Sequence, residues 1–113
     1  MDVPGLRRVT LPYGLALVRG RSMEPTLVDG DRLLVRYDGV PRAGNVAIVR
    51  FADGVVAVKR LDRRTPTGWW VSRDNPLEGR DSWSAGAVPD ADVLATVVGR
   101  LWPRPGPVPR ARR

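Results

Sequence analysis

The segment Gly20-Arg21-Ser22-Met23-Glu24-Pro25-Thr26-Leu27 places a serine between the end of an apolar run and a turn. Proline stops a strand ladder there and glycine allows close backbone approach to a ligand, so Ser22 can project into a cleft. A loop serine is more often a turn or cap residue, and a nucleophilic role depends on a base. The chain has no histidine and no cysteine. Ser-His-Asp and Cys-His arrangements are excluded, as are disulfides, zinc-thiolate sites and iron–sulfur clusters. A serine nucleophile must take its base from lysine, a carboxylate or the amino terminus.

Lys59 is the candidate base. The sequence has eighteen arginines and one lysine. Arginine keeps its proton near neutral pH, whereas lysine can lose one when its ammonium form is desolvated. Over residues 55–61 the period of two puts Val55, Ala57, Lys59 and Leu61 on one strand face and Val56, Val58 and Arg60 on the other. Among apolar neighbours, burial lowers an ordinary lysine pKa of about 10.4 toward the range where the amine accepts a serine proton. The alternative is a lysine that snorkels to solvent or pairs with a carboxylate. Ser22 and Lys59 are far apart in the chain, so only folding can join them.

The elements that must position them are short. At 113 residues the chain has the length of one domain. β-Branched runs fall at 15–19, 32–37, 46–51, 55–61, 69–72 and 93–101, punctuated by Asp38-Gly39, Asp53-Gly54 and Thr67-Gly68. The spacing predicts a mainly β fold, a small curled barrel-like or sandwich domain, with a hairpin at Asp53-Gly54. Residues 1–10 are expected as a flexible lead-in, 11–102 as a single catalytic-type domain, and 103–113, PRPGPVPRARR, as a disordered tail.

The net charge is +7, but four arginines stand in the last eleven residues; without them the balance is about +3, and no aromatic-basic stacking pattern accompanies it. No nucleic-acid partner is expected. No apolar run approaches the ~18 residues of a membrane span, and Arg7 and Arg8 precede only a brief apolar stretch without a cleavage site. The expectation is a soluble cytoplasmic protein with no membrane association evident, no metal and no cofactor.

Ser22 to Leu27, Gly30-Asp31, Val58-Lys59-Arg60, Asp74-Asn75 and Asp81-Ser82, in this order, resemble the successive boxes of bacterial signal peptidase I. The Ser-Met and Val-Lys-Arg-Leu elements also resemble the LexA-type self-cleaving repressors. The resemblance covers about residues 15–100. It implies a mostly β catalytic core, Ser22 as nucleophile, Lys59 as general base and the Ser22 backbone N–H as oxyanion donor. Met23, Pro25 and Thr26 would shape the site, with Gly30-Asp31 as a structural turn. Asp81 would organise the site, with Ser82 supporting it; the alternative for this pair is a loop turn with a local cap.

Gly20 stands where many members of that family have a serine supplying a second oxyanion donor, and Gly79 where a serine helps orient the lysine. Lys59 would then be positioned by packing or by another hydroxyl such as Ser82. Trp83 replaces an arginine, Arg73 a glycine and Asn45 an aspartate. Leu11-Pro12-Tyr13-Gly14 and Gly68-Trp69-Trp70-Val71 are similar to stretches in short, anchorless actinobacterial members, the nickel-type superoxide dismutase maturation proteases. The expected function is a Ser/Lys endopeptidase that cleaves an extended peptide through an acyl-enzyme. The alternatives are signal-peptide processing with a separate membrane partner, or a non-catalytic module that binds peptides or anions.

Overall fold

Val46-Ala47-Ile48-Val49 is buried along its whole length, so the strand it forms packs on both faces. In this computed structural model, which describes residues 6–10 and 12–110 and the side chains of 12–110, that strand is β4 (Val46–Arg50). The others are β1 (Leu6–Thr10), β2 (Tyr13–Leu17), β3 (Arg32–Arg36), β5 (Val56–Thr65), β6 (Gly68–Ser72) and β7 (Val93–Trp102), with one short helix, α1 (Ser82–Ala85), between β6 and β7. Every expected strand is present and the fold is mainly β. All pairings are antiparallel, in one seven-stranded sheet of order β1-β2-β3-β7-β4-β5-β6.

β7 lies at the centre, and register shifts mark its pairing with both neighbours, β3 and β4. Such bulges bend a strand and increase its twist. β2 and β5 are separated in the sheet by β3, β7 and β4, yet both line a single cleft, so the sheet curls on itself. The alternation in β4 divides the core. Val46 and Ile48 join Ala16, Leu33, Val35 and Ala95 around Met23 and Leu27, whereas Ala47 and Val49 pack with Phe51, Leu61, Trp69, Val71 and Val88. Val56 and Val58 lean on the first cluster and Ala57 on the second, as the period of two requires.

The Asp53-Gly54 turn joins β4 to β5 as expected. Gly54 takes φ +87°, Phe51 N–H donates to Val55 O at 2.9 Å, and Val55 N–H donates to the Asp53 carboxylate at 3.1 Å. β5 continues past the expected end at Leu61 to Thr65, paired with β6 after a shift between Leu61 and Arg63. Asp62, Arg63 and Arg64 show no apolar alternation because this part of the hairpin is more exposed than the buried stretch before it.

The two chain ends depart from expectation. Residues 1–5 of the lead-in lie outside the described residues, but Leu6–Thr10 forms β1 and pairs with β2. The segment 103–110, expected as a disordered tail, folds back along β7. Arg100 and Gly106 exchange backbone hydrogen bonds of 2.8 and 2.9 Å, Val108 packs on the first core cluster, and Pro109 O accepts from Arg60 Nη1 at 2.6 Å. Arg110 donates to Ala43 O at 2.8 Å. The prolines keep it from forming a ladder, but its carbonyls remain acceptors and its valine still gains from burial. Residues 111–113 of the expected tail are outside the described ones.

Candidate active site

Ser22 is set by the turn that follows it. Met23 and Leu27 are buried, and Leu27 N–H donates to Met23 O at 2.9 Å, so one α-like turn drives two apolar side chains into the core and leaves Ser22 at its lip. The loop 73–80 holds the other side. Asn75 N–H donates to Ser22 O at 2.8 Å, Asn75 Nδ2 donates to Arg21 O at 2.9 Å, and Leu77 N–H fixes the Asn75 amide oxygen at 3.0 Å. Thr26 Oγ1 donates to the Asp74 carboxylate, which also takes the buried guanidinium of Arg60. The turn after Ser22, the residue after Lys59 and the 73–80 loop are thereby tied to one carboxylate.

Lys59 Nζ reaches Ser22 Oγ at 3.0 Å although 37 residues separate them in the chain. The lysine is 3% exposed, opposite Ala47 in the β4–β5 ladder. Burial brings its pKa from 10.5 down to about 8; Asp81 opposes that change, and the Arg73 and Arg80 charges reinforce it. Desolvation makes the neutral amine accessible near physiological pH. In that form the lone pair of Nζ can accept the Ser22 proton. A base within hydrogen-bond reach of a serine is the geometric requirement for nucleophilic catalysis.

Gly79 closes over this pair. A β-carbon there would stand 2.5 Å from Ser22 Cβ and 3.3 Å from Lys59 Nζ, and its φ is +84°. A serine on this backbone would collide with Ser22, so no hydroxyl at this position holds Lys59, which is buried and reaches Ser22 instead. Ser82, the other candidate hydroxyl, is buried and accepts from Val71 N–H at 2.7 Å, with no bond to Lys59 among the described residues. Asp81 is a local cap that also acts on Lys59 through its charge. It caps α1 by accepting from Trp83 N–H at 3.1 Å, and its charge favours the protonated form of Lys59.

Arg73 fixes this segment, donating from Nη1 to Gly79 O at 2.9 Å and from Nε to the Asp81 carboxylate at 3.3 Å. Arg80 pairs with Asp53 at 2.9 Å and lies 4.6 Å over the Phe51 ring, joining the segment to the β4–β5 turn. Gly20 lines the cleft with φ +82°, but its N–H donates to Asp29 Oδ1 at 2.7 Å and is engaged within the protein. Pro25 is exposed and stands outside the cleft lining. Asp31 is buried, accepting from Val28 N–H at 3.0 Å, which makes Gly30-Asp31 a structural turn.

The positioning parts of Arg73, Asn75 and Arg80 were not read from the sequence. Asp74-Asn75 between the end of β6 and the cap of α1 was the available signal, since Asx residues in loops bond nearby backbone. The cleft itself has a volume of 510 Å³, with Ser22 and Lys59 in its wall and Ala16, Ile48 and Val58 among its apolar lining.

Antiparallel strands curl around a serine–lysine contact at the wall of an apolar cleft, which makes this a small β domain with a candidate active site. The Peptidase S24-like family profile matches residues 10–98, and the chain belongs to that family. Membership agrees with the resemblance to the signal peptidase I/LexA-type superfamily and supports a peptidase function, with protein as its substrate class. A search of curated proteins gives no match. Among the described residues no helix is long and apolar enough to cross a membrane.

Proposed function

We propose that the protein is a serine endopeptidase in which Ser22 is the nucleophile and Lys59 the general base. The observation that carries the reading is the 3.0 Å contact between Ser22 Oγ and an otherwise buried lysine whose pKa is lowered to about 8. Neutral Lys59 takes the Ser22 proton as Oγ attacks the scissile carbonyl carbon. The tetrahedral intermediate collapses by breaking the C–N bond, and Lys59 returns the proton to the leaving amine. Water then attacks the acyl-enzyme with Lys59 again as base, releasing the new carboxylate and restoring the serine. The Ser22 N–H donates to no acceptor among the described residues and is available to the developing oxyanion.

An extended peptide suits the cleft. β6 pairs with β5 only from Arg60 onward, so residues 56–59 are paired with β4 and leave their other edge toward the cleft. Strand addition on that edge would lay a scissile bond beside the dyad. Peptide cleavage and labelling by a serine-directed acylating probe test the reading. Both should vanish in Ser22→Ala and Lys59→Ala, and activity retained in either variant would refute it.

The finer substrate we propose is the leader of a nickel superoxide dismutase precursor, on the Leu11–Gly14 and Gly68–Val71 likenesses alone. Trp69 and Val71 of the second stretch are core residues of β6, so that likeness bears on packing more than on substrate contact. Incubation with the precursor decides it: an intact leader under conditions where another peptide is cut would remove this substrate.

A further inference from the structure

The charges on the rim of the cleft are unbalanced in a way the dyad does not explain. Arg19, Arg21, Arg80 and Glu78 line it. Arg21 is engaged by Glu24 at 3.4 Å and by Glu78 at 3.9 Å, and Arg80 by Asp53 at 2.9 Å. Glu78, the acid in the lining, is therefore opposite an arginine already. Arg19, exposed on the segment that leaves β2, has no carboxylate partner among the described residues. It stands three residues before Ser22 and lines the same cleft as residues 56–59 of β5.

We infer that Arg19 reads an acidic side chain of the substrate, so that the preferred peptide carries a glutamate or aspartate within the few residues that lie along the β2 wall. The inference rests on the peptidase reading and names the substrate class for it. An apolar lining with a cation at its rim selects a peptide that is apolar where it enters the cleft and anionic beside it. Arg21 and Arg80 are already paired with carboxylates, so the free cation at the rim is Arg19, which attracts an acidic peptide and disfavours a basic one. The acid must sit at Arg19 and away from the amine, because a carboxylate against Lys59 would favour its protonated form and remove the base. The preference is therefore confined to particular positions in the peptide.

The experiment scans Glu, Gln and Lys through each position of one cleavable peptide and compares kcat/KM for the wild-type protein. At one or two positions Glu should exceed Gln by about fivefold, the size of a solvent-accessible ion pair, with Lys below both and the advantage falling as salt rises. Arg19→Gln should bring the Glu/Gln ratio close to one, and Arg19→Glu should invert the order of Glu and Lys. In parallel, fluorescence anisotropy of the same labelled peptides on Ser22→Ala reads binding without turnover. Cleavage that depends on Ser22 but ignores Glu, Gln and Lys at every position overturns the acid preference and leaves the peptidase reading standing. Preferential binding of the Glu peptide that is lost on changing Arg19, with no cleavage of any peptide, supports the acid preference and removes the peptidase reading. With neither cleavage nor preferential binding, both fall.

Discussion

A β-carbon on Gly79 would stand 2.5 Å from the β-carbon of Ser22, closer than real β-carbons come to a neighbouring atom. The φ of +84° adds a second restriction, because side-chain-bearing residues rarely adopt it. Gly79→Ala should therefore push Ser22 away from Lys59. A displacement of about 1 Å at a reacting centre costs on the order of 10²-fold in rate, and the strain itself about 1–2 kcal/mol. Parallel kcat/KM and urea-denaturation measurements separate the two; undiminished kcat/KM would mean that the loop yields without moving the serine.

Activity should rise with pH. Lys59 must be neutral to accept the serine proton, and its pKa is about 8. The log of kcat/KM is expected to climb with a slope of about one below that pH and level off above it. A profile governed by an ordinary lysine, still climbing near pH 10, would contradict the assignment of Lys59.

The same burial makes Lys59 costly to the fold. Its folded pKa of about 8 lies below the unfolded 10.5, so between these values the unfolded chain binds more protons and stability increases as pH rises. Below pH 8 the buried cation costs up to about 3 kcal/mol, because a tenfold change in proton affinity is worth about 1.4 kcal/mol. Lys59→Met should be inactive yet more stable at pH 7 by about 1–3 kcal/mol, with the gain shrinking toward pH 10.5. Thermal melts of both proteins across this range test it.

Arg73 acts on Lys59 twice, by its own charge and by holding the Asp81 carboxylate at 3.3 Å. Arg73→Met removes a repulsion and leaves Asp81 unneutralised, and both changes favour the protonated lysine. The midpoint of the pH–rate profile should move upward. A fall in rate at every pH without that displacement would reduce Arg73 to a tether for Gly79.

Arg60 is buried against Asp74, with side chains 6% and 17% exposed. Asp74→Ala leaves the guanidinium with its carbonyl partners Gly44 and Pro109 but no counter-charge, and releases Thr26 as well. Breaking a buried pair from one side costs about 3–5 kcal/mol. Denaturant titration should show a loss of this size, and a loss of a few tenths would mean that solvent already screens the pair.

Much of the fold was legible because alternation is local. The runs at 32–37, 46–51, 55–61 and 93–101 announce β3, β4, β5 and β7, and Asp53-Gly54 announces the hairpin between β4 and β5. β1 and the outer half of β5 carry few such signals, since their residues lack an uninterrupted apolar face; what makes them strands is a partner already in place. Residues 103–110 mislead for the same reason, because proline and arginine content forecasts the absence of a ladder and says nothing of carbonyl acceptors or of Val108 reaching the core.

By itself the sequence determined which residues could do chemistry. Without histidine or cysteine, a serine in a glycine- and proline-bounded turn and a solitary lysine on an apolar strand face were the candidate nucleophile and base. Only the tertiary structure decided that they touch, that Gly79 leaves no room for the serine that many family members carry there, that Gly20 is engaged by Asp29, and that Arg73 and Asn75 tie down the 73–80 loop. The reason is physical: periodicity assigns each side chain to a face, whereas the meeting of β2 with β5 depends on strand register, the bulges along β7 and the curl they give the sheet.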